Sequence, residues 1–436
     1  MTPNRPLWTL TCWFAAWKFL VLVLVLAGPG PGYDTSTTIL SPIPSSGLSA
    51  KLLNFVRWDS LYFVNIAQRG YLYEQEWAFG YGYTKLLAIL STGTPREPFH
   101  LAVVGIAVSH LAHYLSVLVL YRLTQTIFGD KKYPNHLPFL SAALHIISPA
   151  GAFLSAPYGE PVFALLNILG YYVYFLALKY DRQSSLLPRD LSFIASGCIF
   201  AVASTVRSNG ILGGMLFAYD AVLRAFEIVQ TRHISLPVFR RLVFVGLGGA
   251  LILLGIAGPQ YIAYSSYCQS AASPRSWCSN LPPSIYTWVQ GRYWNVGFLG
   301  YWTIPNIPLF LMAAPMLTIL FLSATWALTL NKRVTIPSDK NTEKMACESE
   351  FTSVCLVRLA LPQAVLALLA LTSYHVQIIT RLASGYPLWY WWLAICLFKE
   401  GKHGFKGIVQ PKTILHGIVL YGMVQAALFA SFLPPA

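Results

Sequence analysis

Residues 7–28 read LWTLTCWFAAWKFLVLVLVLAG, and this first apolar run decides the fold class. About 20 consecutive apolar residues are enough for a helix to cross the hydrocarbon core of a bilayer. A cleaved signal peptide is the alternative, since Pro and small residues follow the run. Lys18 within the run and the length of the apolar stretch argue against it. We therefore expect an uncleaved first membrane span.

Ten more apolar runs follow, which makes eleven in all. They lie at about 99–128, 137–155, 160–178, 191–206, 211–229, 242–265, 305–330, 356–374, 385–398 and 413–432. Only 11% of the residues are charged, against about 25% in soluble domains. We predict an all-α polytopic membrane protein with a single domain, residues 1–436. The runs at 137–155 with 160–178, and at 191–206 with 211–229, are alternatively re-entrant halves.

The positive charges set the predicted topology. With the N-terminus in the cytosol, twenty of the 30 Lys and Arg residues fall on the cytosolic side, as the positive-inside rule requires. This placement accounts for the net charge of +14, so we expect no nucleic-acid partner. The layout leaves two large lumenal loops, 29–98 and 266–304, and a charged cytosolic loop, 331–350.

The first lumenal loop contains the longest mixture of acids, bases and aromatics outside the spans, RWDSLYFVNIAQRGYLYEQEWAF at residues 57–79. Two amphipathic stretches, near 48–70 and 77–91, are predicted to lie at the membrane interface. Asp59 is either a general base or the N-cap of a helix that begins at Ser60. As a base, its pKa would be raised by a low dielectric and lowered by Arg57.

Three further carboxylates fall on the lumenal face. Glu74 and Glu76 follow Tyr71 and Tyr73, a mixture that suits sugar binding but is also typical of an interfacial aromatic belt. Glu160 stands before a proline at a turn between two runs. It either lies at the positive end of a helix or faces the same cavity as Asp59.

Cations suited to phosphate lie on the same face. Arg207, in TVRSNG with Asn209, is either a forked phosphate ligand or a snorkelling side chain. His375 and Arg381, in HVQIITR, are candidates for a lipid-linked phosphate. The aromatic loop 267–306, which carries Trp294 and Asn295, either packs on the membrane or lines a sugar site. Cys268 and Cys278 in that loop would pair in an oxidising lumen; otherwise they are partly buried thiols.

Taken in order, these segments resemble the GPI mannosyltransferase 2 family. The landmarks are RWD at 57–59 with IA at 66–67, GYLYE at 70–74, AF at 78–79, SPA at 148–150, YGE at 158–160, RSNG at 207–210, YC at 267–268, WC at 277–278, YWNVGFL at 293–299 and HVQIITR at 375–381. The chain departs from the family pattern after Phe79, where GYGYTK replaces an aromatic-proline stretch. We expect altered loop geometry there.

The resemblance implies a GT-C glycosyltransferase fold and an endoplasmic reticulum membrane enzyme with a lumenal active site. It would transfer an α1,6-linked mannose, with inversion, from dolichyl-phosphate mannose to the mono-mannosylated GPI precursor. Fungal members imply a small membrane partner. We expect no metal ligands and no cofactor beyond the donor substrate. Another GT-C transferase, or a lipid transporter or scramblase, is the alternative.

Motifs and resemblance together give the predicted site. Asp59 is the catalytic base, and the donor phosphate is assigned to Arg207, Arg381 and His375. The predicted sugar contacts are Arg57, Trp58, Glu74, Glu160, Asn209, Trp294 and Asn295. Ionisable residues inside the runs, such as Lys18, His113, His145 and Asp220, are too scattered for a transport path. We expect them to pack helices.

Overall fold

The computed structural model describes residues 3–28, 32–40, 47–92, 97–129, 136–269, 275–330, 340–403 and 410–433. Within these ranges the regular elements are helices, without a strand. This confirms the predicted all-α class.

Sixteen α-helices occur in the described residues, joined by short 3₁₀ turns. They are α1 (Pro6–Leu26), α2 (Gly47–Leu52), α3 (Asp59–Arg69), α4 (Tyr81–Leu90), α5 (Pro98–Phe128), α6 (Leu137–Ile146), α7 (Glu160–Arg182), α8 (Leu186–Val206), α9 (Gly214–Thr231), α10 (Leu236–Tyr264), α11 (Ile285–Trp294), α12 (Ile307–Leu330), α13 (Lys340–Thr372), α14 (Ile379–Leu382), α15 (Leu388–His403) and α16 (Pro411–Ala430).

Eight helices in the described part of the chain are long and apolar enough to cross a membrane: α1, α5, α7, α8, α10, α12, α13 from Glu350, and α16. The chain is therefore a multi-pass membrane protein. The remaining three predicted runs also form helices. However, α6 has 10 residues, the apolar part of α15 ends at Lys399, and α9 contains three charged residues. A total of eleven spans stays a prediction.

Part of the predicted cytosolic loop 331–350 is helical. Residues 331–339 lie outside the described residues, and from Lys340 the chain is already in α13. The two amphipathic stretches near 48–70 and 77–91 form short helices: α2 and α3 in the first, and α4 in the second. Their position at the membrane interface stays a prediction.

The charged side chains at the end of the bundle opposite Asp59 pair with one another. Asp220 is fully buried in α9, and its carboxylate contacts Arg241 at 2.6 Å and Arg358 at 3.2 Å. Asp190 contacts Arg189 at 2.8 Å and Arg240 at 2.6 Å. Because a buried charge is tolerated only when it is paired, these residues join helices, as predicted for Asp220.

Between α6 and α7 the chain leaves the helical path, although residues 148–159 are buried. Backbone groups away from water need partners, and irregular backbone at membrane depth is tolerated only when protein supplies them. The ammonium of Lys18 in α1 donates to the carbonyl of Leu154 at 2.7 Å. The hydroxyl of Ser109 in α5 donates to the carbonyl of Ala156 at 2.6 Å. Lys18 therefore supports this unwound segment.

Gln425 of α16 also forms hydrogen bonds with the backbone of this segment. Its Oε1 accepts the Ala152 N–H at 3.0 Å, and its Nε2 donates to the Pro149 carbonyl at 3.2 Å. Gly151 lies between these two groups with φ +49°, and a Cβ there would come within 2.0 Å of Gln425 Oε1. Glycine is thus needed for both its conformation and its size.

Replacing Gln425 by Leu is expected to destabilise the protein, because it leaves a buried N–H and a buried carbonyl without partners. Each stranded group costs about 1–3 kcal/mol. Thermal denaturation in detergent, followed by size-exclusion chromatography, should show a clearly lower Tm. Gln230→Leu makes the same chemical change on an exposed side chain of α9 and should leave the Tm unchanged. Equal Tm values for the two variants would contradict this role of Gln425.

Candidate active site

A cavity of about 540 Å³ opens at the end of the bundle where Asp59, Arg207 and Arg381 meet. This volume lies within the usual range for small-molecule sites. The three charged side chains come from segments that are about 150 or more residues apart in sequence. His375, Asn209 and Trp294 also line the cavity, so six of the predicted site residues are brought together.

Asp59 is the first residue of α3. The residue before it, Trp58, has φ +56° and marks the N-terminus, which has no side-chain cap. The prediction that Asp59 caps a helix from Ser60 is therefore wrong. The Asp59 N–H instead donates to the Tyr158 hydroxyl at 3.1 Å, and that hydroxyl donates to the Arg57 carbonyl at 2.9 Å. The Asp59 carboxylate is left to face the cavity.

Arg381 is the cation beside Asp59. Both terminal nitrogens of its guanidinium lie 3.3 Å from Asp59 Oδ2, and its Nε lies 3.3 Å from Glu160 Oε1. The guanidinium also covers the ring of Phe153, 4.4 Å from its centre. Burial lowers the pKa of Arg381, but Glu160 and Asp59 outweigh it and raise the pKa above its ordinary value. Arg381 therefore stays a cation.

Glu160 joins the two arginines. It is the first residue of α7, its side chain is 1% exposed, and its Oε1 lies 2.7 Å from Arg207 Nη1. The predicted sugar contact of Glu160 loses its basis, since the carboxylate faces the two guanidiniums and is absent from the cavity lining. Asp59, Arg381, Glu160 and Arg207 thus form one alternating row of charges, which we call the ion-pair row.

His375 lines the same cavity and contacts the end of α11. Its Nε2 lies 2.7 Å from the Trp294 carbonyl oxygen, so Nε2 must donate. Its ring stacks on Tyr301 with centroids 4.7 Å apart. His375 thereby fixes the C-terminal end of α11. Asn209 lines the cavity while its side-chain nitrogen donates to the Tyr386 hydroxyl at 3.3 Å.

Arg57, Trp58 and Asn295 do not line the cavity. Arg57 is 4% exposed, and its guanidinium donates to the Ala430 carbonyl, Thr37 Oγ1 and Asn54 Oδ1. It ties the first lumenal loop to the end of α16. Trp58 packs on Phe432, and Asn295 ends α11 with φ +51°. Their predicted sugar contacts lose their structural basis, and the cation beside Asp59 is Arg381 and not Arg57.

Glu74 and Glu76 make contacts within the loops that are predicted to be lumenal. Glu76 is buried, pairs with Arg69 at 2.5 Å, and accepts the N–H groups of Leu72 and Tyr73. Glu74 Oε1 accepts the indole N–H of Trp277 at 3.2 Å. Glu74 is therefore turned away from the cavity, and its predicted sugar contact also loses its basis.

The segment between α10 and α12 packs on a small apolar core, which we call the lumenal core after its predicted side of the membrane. It consists of Trp77, Ala263, Trp277, Ile285 and Val289. The prediction that Cys268 and Cys278 pair is confirmed, with Cα atoms 5.7 Å apart. The loop carries α11 to the cavity, which supports the sugar-site interpretation of residues 267–306 over simple packing on the membrane.

Sequence reasoning missed the uncharged part of the lining. Gln260, Tyr286, Gln290 and Tyr374 all face the cavity. Tyr286, Gln290 and Trp294 are four residues apart, so the helical period was a signal for one shared face.

The unusual GYGYTK segment also borders the cavity. A Cβ at Gly80 would come within 1.8 Å of the Val206 carbonyl, so glycine allows the start of α4 to approach the end of α8.

The chain resembles known proteins along its whole length. The family model described as "Mannosyltransferase (PIG-V)" matches residues 10–436. A GPI mannosyltransferase 2 from Aspergillus fumigatus is 48% identical over 100% of this chain and 95% of that protein. A GPI mannosyltransferase 2 from Gibberella zeae is 42% identical over 99% of this chain and 98% of that protein.

Among solved structures, the oligosaccharyltransferase of Archaeoglobus fulgidus in its apo form aligns with 92% of this chain and 56% of its own length. The TM-score is 0.45 and the sequence identity 13%. The match of the family model to nearly the entire chain, together with relatives above 40% identity, shows that this chain belongs to the PIG-V mannosyltransferase family.

Proposed function

We propose that this mannosyltransferase transfers the second mannose of the GPI anchor, in α1,6 linkage, from dolichyl-phosphate mannose to the mono-mannosylated GPI precursor. The relatives named GPI mannosyltransferase 2 supply the reaction. The observation that carries the proposal for the site is a cavity whose lining includes the carboxylate of Asp59 and the guanidiniums of Arg207 and Arg381. That set suits a sugar transfer in which a hydroxyl loses a proton and a phosphate departs.

Asp59 is the proposed general base. The acceptor hydroxyl oxygen attacks the anomeric carbon of the donor mannose, and its proton passes to the Asp59 carboxylate. A bond forms between that oxygen and the anomeric carbon while the bond to the phosphate oxygen breaks. The electron pair leaves with dolichyl phosphate. Inversion requires attack from the face opposite the phosphate, so base and phosphate site must flank the sugar.

Arg207 is the proposed contact for the departing phosphate. Its Nη1 pairs with Glu160, its side chain is 19% exposed, and it lines the cavity. A guanidinium in a site away from water stabilises developing negative charge strongly. The guanidinium of Arg381 is instead taken up by Asp59 and Glu160. We assign Arg381 to orienting the Asp59 carboxylate, with the donor phosphate as a secondary role.

The proposed location is the membrane of the endoplasmic reticulum, with the cavity on the lumenal side. The disulfide between Cys268 and Cys278 lies in the loop that carries α11 to the cavity, and disulfides persist in oxidising compartments. Both substrates are lipid-linked, so the bilayer would hold them in one plane. A small membrane subunit, implied by the fungal resemblance, stays part of the proposal.

Asp59→Asn is expected to abolish transfer, because an amide cannot accept the proton. In cells that lack the second GPI mannosyltransferase, the wild-type chain should clear the accumulated one-mannose precursor. The Asp59→Asn chain should leave that precursor in place at equal expression. Lipid extraction and mass analysis of the precursor provide the measurement.

Asp34→Asn is the matched control in the same loop, since Asp34 does not line the cavity and its Oδ1 bond to the Ser36 N–H is possible for Asn as well. It should clear the precursor like the wild type. Clearance by well-expressed Asp59→Asn protein would refute the base assignment. Failure of the wild-type chain to clear the precursor, despite good expression, would refute the proposed reaction.

Arg207→Gln is expected to slow transfer by purified protein roughly 100-fold, since it removes a charged donor from the departing phosphate. Arg207→Lys should recover only part of the rate, because an ammonium keeps the charge but loses the fork. Arg292→Gln, on the exposed side of α11, should keep the wild-type rate. A wild-type rate for Arg207→Gln in folded protein would remove Arg207 from the mechanism.

A further inference from the structure

We propose that Gln290, on the face of α11 that it shares with Tyr286 and Trp294, binds a hexose in the cavity through its side-chain amide. The inference rests on the proposed function and adds a specificity residue to it. Gln290 lies outside the motifs that carry the family resemblance. The ligand class is a hexose, either the transferred mannose of the donor or the mannose of the acceptor.

The orientation of α11 is fixed by its apolar side. Ile285 and Val289, four residues apart, are both fully buried in the lumenal core. The ion pair between Glu74 and Arg275 (3.4 Å) and the disulfide between Cys268 and Cys278 hold the adjoining segment. At 100° per residue, this burial turns the neighbouring face of the helix towards the cavity.

Contacts at its two ends place α11 across the cavity. At the N-terminal end, the Tyr286 hydroxyl lies 2.7 Å from the hydroxyl of Ser208, the residue after Arg207. At the C-terminal end, the Trp294 ring packs edge-on against Tyr62, which follows Asp59 by three residues in α3. The helix therefore runs from the proposed phosphate contact towards the helix of the proposed base, a length of about 12 Å.

Gln290 is at the middle of that length. Inversion requires the donor sugar to lie between the phosphate site and the base, and the acceptor sugar to lie next to the base. The middle of α11 thus faces the space where the two sugars meet. Arg207 and Asp59 line the same cavity as Gln290, so a sugar there would contact both the ion-pair row and α11.

The polar groups on this wall are available. Among the described residues, the Gln290 amide has no hydrogen-bond partner, although it lines the cavity. The indole N–H of Trp294 is buried and likewise lacks a partner within the described structure. The Oε1 atom of Gln260 accepts hydrogen bonds from the Ser284 hydroxyl and from the Tyr286 N–H. These two bonds leave its Nε2 available as a donor.

These groups match the chemistry of a sugar. An amide both donates and accepts, as each hexose hydroxyl does. Uncharged partners also suit a neutral sugar ring, whereas the charged groups of the ion-pair row suit the phosphate and the proton. A site built to hydrogen-bond a hydroxyl strongly disfavours an analogue that lacks it. We therefore expect Gln290 to read one particular hydroxyl.

Gln290→Met tests the proposal, because methionine keeps the length and fills the same space without hydrogen bonds. Purified full-length protein would be assayed with dolichyl-phosphate mannose and the one-mannose acceptor, each varied in turn. The KM of one substrate is expected to rise roughly tenfold. Gln230→Met, on the exposed side of α9, is the matched control and should behave like the wild type.

A set of 2-, 3- and 4-deoxymannose analogues separates a contact from a structural effect. The wild type should discriminate against one analogue that the variant no longer distinguishes from the parent sugar. Loss of discrimination among donor analogues assigns the contact to the transferred mannose, and among acceptor analogues to the acceptor. Unchanged KM values, or a uniform loss that keeps the wild-type discrimination, would overturn the proposal. A wild-type chain that transfers no mannose would instead overturn the proposed function, and this inference with it.

Discussion

The ion-pair row of Asp59, Arg381, Glu160 and Arg207 is the constraint on which the rest of the structure depends. Each member comes from a different segment, and the buried charges of Glu160 and Arg381 would be costly without their neighbours. The row exists only if α3, α7, α14 and the end of α8 meet at one point. The packing of the membrane helices therefore also determines how the charged groups of the site are arranged. Helices that fail to meet leave an unpaired charge, and a lost charge leaves its neighbour misplaced.

The unwound segment before α7 allows these helices to meet. A continuous helix through residues 147–159 would carry Tyr158 and Glu160 elsewhere. The break brings Tyr158 to the Asp59 N–H and Glu160 to the two arginines. Lys18, Ser109 and Gln425 bond the backbone groups that the break exposes. Polar residues that look scattered along the apolar runs thus support the active-site end from within the bundle.

The sequence predicted what depends on local pattern or on sidedness. Apolar length located the helices, and alternation across the membrane put Asp59, Arg207 and Arg381 at one end, where the structure joins them. The lumenal placement of Cys268 and Cys278 anticipated their pairing.

The sequence pattern does not predict which carboxylate pairs with which cation. Glu160 and Arg207 are 47 residues apart and Asp59 and Arg381 are 322 apart, so no short-range period reveals the pairs. For the same reason the sequence pattern alone does not show that Glu74 and Arg57 make contacts within the fold and not with sugars. Gln290 carries no charge and stands in no recognised motif.

The central claim is that the donor sugar lies between Asp59 and Arg207. The most direct test is a structure of the protein with a non-cleavable C-glycosidic analogue of dolichyl-phosphate mannose. The phosphate oxygens are expected to lie within hydrogen-bond distance of the Arg207 guanidinium. The anomeric carbon is expected to face the Asp59 carboxylate, with space for an acceptor hydroxyl between them. A phosphate bound away from Arg207, or a mannose whose anomeric carbon is out of reach of Asp59, would contradict it.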